Sequence, residues 1–233
     1  MSNVRRHMLR KLFAAIGLVS AATVNAAPPY APYPSEEANA IYNLLFCDDP
    51  SSFLAKPDQQ AASWQSVLAS APPDIASLGA LATDRAQEGR IRYLAYQRLR
   101  QAGELVPKKE LLGVVIEVPL EGGLDTLAAY SEGGVRYVNQ SGKLAFIEGV
   151  PSFAPLVARL FAAAQPVVNA IGPWDKERRS PPARGNIRLT FLVSDGLYFG
   201  EGPLSAMQRE KMAAPVIQAA TELLLAVVAA GTK

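Results

Sequence analysis

At Leu111 the hydrophobic pattern of this chain changes period, and that switch constrains most strongly what the chain can fold into. Upstream, apolar residues recur every three or four positions. Downstream they alternate, which is the period of a strand. The chain therefore reads as α+β, with N-terminal helices followed by an antiparallel sheet in the order β-β-β-β-α-β-β-α, covered by helices on one face.

In the helical half, Ser35 is placed to cap a helix carrying Glu36 and Glu37 in its first turn and Ile41, Leu44 and Leu45 as its stripe. Further helices are expected from about Asp58 to Ser70, from Pro72-Pro73-Asp74 through Leu81, and from Thr83 or Asp84 to Gly103. Arg85, Arg90, Arg92, Arg98 and Arg100 fall between the apolar positions of the last of these. With Asp84 and Glu88 interleaved, they read as a solvated face.

In the strand half, Leu112, Val114, Ile116 and Val118 fall on one side of the first strand, and Gly113, Val115 and Glu117 on the other. Val135 to Gln140 and Lys143 to Glu148 read as a hairpin closed on Ser141-Gly142. That loop sets Tyr137 opposite Phe146 and puts Arg136, Val138 and Lys143 on the other face. A helix is expected from Phe153 to Ile171, bent at Pro166. Ile187, Leu189, Phe191 and Val193 then alternate up to Asp195-Gly196, a two-residue turn that sets Val193 against Tyr198. The apolar run from Pro215 to Ala230 is interrupted by Gln218, Thr221 and Glu222, so it reads as a helix covering the sheet rather than as a membrane anchor.

The first 27 residues combine Arg5, Arg6, Arg10 and Lys11 with an apolar run from Leu12 to Val24 and the small residues Ala26 and Ala27. This is the pattern of a cleavable export signal, and it predicts a periplasmic or secreted bacterial protein. The expected organisation is a signal over 1–27, a Pro and Tyr rich linker over 28–34, a helical subdomain over 35–105 and an α+β subdomain over 106–233. Losing the signal removes four of the 23 basic residues, none of the 21 acidic ones and the single histidine, His7. The remainder carries a net charge of −2, so no global basic excess remains to support nucleic-acid binding.

Without histidine, Ser-His-Asp and Cys-His hydrolases and His-ligated zinc sites cannot be assembled. No metal cluster or cofactor fingerprint appears, and the lone Cys47 reads as a small buried thiol ending a helix. The segment from Gly172 to Asn186 is long, charged and stiffened by proline where a few residues would join helix to strand. Trp174, Arg178, Arg179 and Arg184 in it suit an anionic or glycan ligand, held by stacking and charge. Arg136 and Lys143 mark the hairpin as a surface for an envelope partner. The expected function is an exported, non-enzymatic binding or assembly protein of the bacterial envelope. The alternative is a histidine-free hydrolase or lyase using paired carboxylates, Glu117 with Glu201 or Asp175 with Glu177.

Overall fold

The computed structural model describes residues 30–56 and 58–231, so the expected export signal lies outside the described residues. Four helices come first: α1 (Glu36–Leu44), α2 (Ser63–Ala69), α3 (Ile75–Thr83) and α4 (Gly89–Gln101). Local chemistry sets their ends. Ser35 accepts from the Ala38 backbone N–H at 3.1 Å, and Asp74 accepts from that of Ser77 at 3.1 Å. The second and fourth helices start five residues later than the pattern predicts, with Ala62 and Glu88 as their N-caps. Four strands follow, β1 (Leu111–Leu120), β2 (Gly123–Tyr130), β3 (Val135–Val138) and β4 (Leu144–Ile147). Then come α5 (Ala154–Ala170), β5 (Asn186–Val193), β6 (Gly196–Pro203), the single turn α6 (Leu204–Met207) and α7 (Ala213–Gly231). Pro166 sits inside α5, which continues past it.

The six strands form one antiparallel sheet in the order β4-β3-β2-β1-β5-β6. The α+β class and the order of elements agree with the sequence reading, but helices cover both faces rather than one. Leu112, Val115, Ala128, Tyr130 and Leu192 pack with α1, α3 and α4. Val114, Ile116, Leu127, Leu189 and Phe191 pack with α5 and α7. The physical reason is visible in β1, whose first seven residues are all buried; a strand covered on both sides cannot present a solvated polar face. A bulge between Leu111 and Gly113 also moves Leu112 to the side opposite Val114. At that bulge α4 begins against the sheet, and a Cβ on Gly89 would stand 2.2 Å from the Leu112 carbonyl oxygen.

Both hairpin registers differ from expectation. Asn139 accepts from the N–H groups of Ser141 and Lys143, each at 2.9 Å, and Gly142 takes a φ of +83°. This longer loop slips the pairing by one residue, so Tyr137 faces Ala145 while Arg136 faces Phe146. In the β5–β6 hairpin the turn is Ser194-Asp195, which pairs Val193 with Gly196 and Phe191 with Tyr198. Ser194 is held there because its N–H donates to the Glu110 carbonyl at 2.9 Å and its hydroxyl to the Pro107 carbonyl at 2.5 Å. A slip of two residues leaves every side chain on its expected face.

The arginine stripe of α4 is not a solvated face. Arg92 is buried and paired with Glu110, and Arg90 pairs with Glu88 at 2.5 Å while its guanidinium lies over Phe53 and Tyr130; of the five arginines Arg85 alone is exposed. The tyrosines before α1 are docked rather than spaced away: Tyr33 is buried, and its hydroxyl meets Thr126 Oγ1 at 2.7 Å.

Candidate functional site

The segment between α5 and β5 is fixed to the body at several points, the first two at Trp174 and Arg178. At the first, the Trp174 backbone N–H donates to the Leu197 carbonyl at 2.7 Å and its indole N–H donates to the Glu177 carbonyl at 3.0 Å. The indole meets Phe199 edge-on at 5.0 Å, with Arg179 and Lys176 5.0 and 5.6 Å from its centroid. Trp174 is therefore a strut within the loop.

The second point is Arg178, which points inward and is 5% exposed. Its Nε donates to Asp48 Oδ2 at 2.6 Å and its Nη1 to the Tyr42 hydroxyl at 3.2 Å, while the guanidinium lies 3.9 Å from the Phe46 ring centroid and 4.8 Å from that of Tyr30. Tyr30 in turn donates to the Arg178 carbonyl at 2.7 Å. A planar guanidinium that satisfies a carboxylate in its plane and stacks on aromatic faces above it is well matched to this position.

Behind Arg178 the network continues into the sheet. The Tyr42 hydroxyl donates to Glu117 Oε1 at 2.6 Å, and Arg188 Nη1 lies 3.6 Å from Glu117 Oε2. Arg188 also donates to Glu201 Oε2 from Nε at 2.9 Å and Nη2 at 2.7 Å, and to the carbonyls of Arg179 and Ser180. Three carboxylates thus share two guanidiniums. Glu117 is fully buried and its Oε2 has no hydrogen-bond partner. Burial pushes the Glu117 and Asp48 pKa values up, and the facing arginines offset that only in part. Glu117 and Glu201 do meet around one point, but the Arg188 guanidinium is shared between them there.

In front of Arg178 a cleft of about 690 Å3 opens between α4, residues 173–178 and the β5–β6 turn. Its aromatic wall is Phe46, Tyr93 and Trp174, and its charged groups are Asp48, Asp175, Glu177 and Asp195 with Arg100, Lys176 and Arg178. Arg100 lies 5.5 Å from the Tyr93 ring centroid and donates to the Ser194 carbonyl. Asp195 accepts from the Tyr198 hydroxyl at 3.0 Å. Gln97 also lines the cleft, and its side-chain carbonyl oxygen is buried without a partner. Cys47, at φ +57°, is buried in the wall; burial pushes its thiol well above the ordinary value and keeps it protonated. Asp175 and Glu177 are exposed on this lining. Among the described residues no group of three His, Cys, Asp or Glu is arranged to hold a metal ion.

The structure brings Trp174 and Arg178 together at this cleft and sets Arg179 on the Trp174 ring. Arg184 stands in solvent 3.6 Å from Glu121, and Lys143 is exposed beside the β3–β4 turn. Arg136 is buried and paired with Glu148, so it offers no surface contact. Asp48, Tyr93, Gln97 and Arg100 were not singled out as a site from sequence; Arg100 carried a signal only as one member of the arginine stripe. No family model, no curated protein and no solved structure matches this chain.

Proposed function

We propose that the protein is an exported, non-enzymatic binding protein of the bacterial envelope, and that its recognition site is the cleft in front of Arg178. The preformed character of that cleft carries the reading. One wall is a loop pinned by the pair of buried Arg178 with half-buried Asp48 and by the Trp174–Leu197 bridge, so little conformational entropy remains to be lost on binding. The lining offers aromatic surface with charges of both signs, which suits a small polar ligand bearing donors and acceptors, such as a glycan or an anionic metabolite.

The two tryptophans, Trp64 and Trp174, make the test direct, because replacing Trp64 with Phe leaves emission from the cleft alone. Titration with N-acetylglucosamine, glucose 6-phosphate, inorganic phosphate, arginine and putrescine is expected to give saturable quenching by at least one of them. That response should be lost in Arg100→Ala. Flat emission across the whole series at millimolar concentration would overturn the reading.

A further inference from the structure

The sheet face toward α7 holds a second cavity, chemically opposite to the cleft. It has a volume of about 190 Å3 and lies between β1, β2, β3, β5, α6 and α7, with Ile116, Leu127, Ile187, Ile217, Ala220 and Leu224 among its walls. Three of the polar residues that reach it are already satisfied within the protein. The Tyr137 hydroxyl donates to Asp125 Oδ2 at 3.0 Å, Asp125 Oδ1 accepts from the Gln140 N–H at 2.7 Å, and the Thr221 hydroxyl donates to the Ile217 carbonyl at 2.8 Å. The fourth, Gln208, is exposed. A guest is therefore asked for no hydrogen bond, and a charged or strongly hydrated one would lose its water without recompense.

Close-packed interiors leave few voids larger than a water molecule, and a dry apolar cavity of about 150 Å3 takes a benzene-sized guest. This cavity is larger, and Thr221 and Leu224 line it from α7; one turn further along the same helix face, Leu225 and Val228 are 64% and 47% exposed. Apolar surface thus runs from the interior outward along the helix.

We infer that this cavity is a binding site for a linear alkyl chain, whose end fills the space under α7 while the rest follows the helix outward. The site shares no residue with the Arg178 cleft, so it stands or falls independently of the function proposed for that cleft. The chain can belong to a free amphiphile or to a lipid still in its bilayer, and the same chemistry serves both.

The test uses methyl-labelled protein with 1-octanol, with glycerol as a polar control and with phosphatidylcholine vesicles. Octanol is expected to shift the Ile116, Ile187 and Ile217 methyl resonances saturably, and glycerol is expected to leave them in place. Ala220→Leu, which fills the cavity, should weaken octanol binding at least tenfold, and Ile187→Phe serves the same purpose if that variant does not fold. Shifts of the same methyls by vesicles would assign the chain to a bilayer lipid, and shifts by octanol alone to a free amphiphile; both support the site. Absence of a saturable octanol shift, or octanol binding unchanged in the filled variant, overturns it.

Discussion

The two faces of the sheet use alternate residues of the same strands, yet different forces hold them. Toward α5 and α7 the interface is apolar: Val114, Ile116, Leu189 and Phe191 meet Val157, Leu160, Val168, Val216 and Leu223. Toward α1 and α4 the same strands also bury Glu117, Thr126, Arg188 and Thr190. Hydrophobic burial is non-directional and roughly proportional to area, so the first face supplies stability with little demand on exact placement. Buried charges add little net stability over apolar substitutes, but they are costly to mispair. The second face therefore positions. It fixes where Tyr42, Arg178 and the loop from Trp174 sit, and with them the shape of the cleft.

The largest expected effect comes from breaking the positioning face. Arg178→Ala leaves the half-buried Asp48 carboxylate without its partner and is expected to cost about 3–5 kcal/mol in urea unfolding. It should also change Trp174 emission, because the loop loses its inner anchor. If the orphaned carboxylate is the cause, Arg178→Met combined with Asp48→Leu recovers most of the stability but not the Trp174 signal. Recovery of both would show that packing alone sets the loop, and would erase the distinction between the faces. Next in size, Leu160→Ala on the apolar face removes a fully buried side chain and is expected to cost about 3 kcal/mol. Its Trp174 emission should match the parent. An altered spectrum would mean that the apolar face positions the cleft as well.

The same contrast explains what the sequence made legible. The apolar face follows from periodicity: Val114, Ile116, Leu189 and Phe191 alternate, and their burial needs no identified partner. The Ser35 cap was equally readable, because donor and acceptor lie three residues apart. The positioning face was not readable. Arg178 meets Asp48 across 130 positions and Glu117 meets Tyr42 across 75, and no local pattern encodes such pairings. From sequence Arg178 therefore reads as a ligand contact and the α4 arginines as a solvated face, since an unpaired charge is ordinarily exposed. The second covered face did leave a trace. Apolar Val115 interrupts the polar side of β1, and a near-continuous apolar run marks a strand buried on both sides. The cleft could be glimpsed only as an overlong loop, because Tyr93, Gln97 and Arg100 converge on it from a helix more than 70 residues earlier.

The smallest effect, and the most specific to the positioning face, is on pH dependence. Burial holds the Glu117 pKa above the ordinary 4.5 and outweighs the opposing pull of Arg188 and the Tyr42 hydrogen bond. Between the ordinary value and the folded-state value, the native protein therefore binds a proton that the unfolded chain has released. Its contribution favours folding at low pH and is lost as pH rises through that window, by about 1.4 kcal/mol for each tenfold change in acidity across it. Glu117→Gln keeps an acceptor for Tyr42 and removes the titration. Its stability relative to the parent should therefore increase from pH 4.5 upward until the folded-state value is passed. Leu160→Ala, measured alongside, should run parallel to the parent over the same range, because no titrating group changes. A Glu117→Gln curve that is also parallel would mean that Glu117 ionises in the fold as readily as in the unfolded chain. The excess carboxylate among the two guanidiniums would then have to be compensated at Asp48, whose pKa burial also raises.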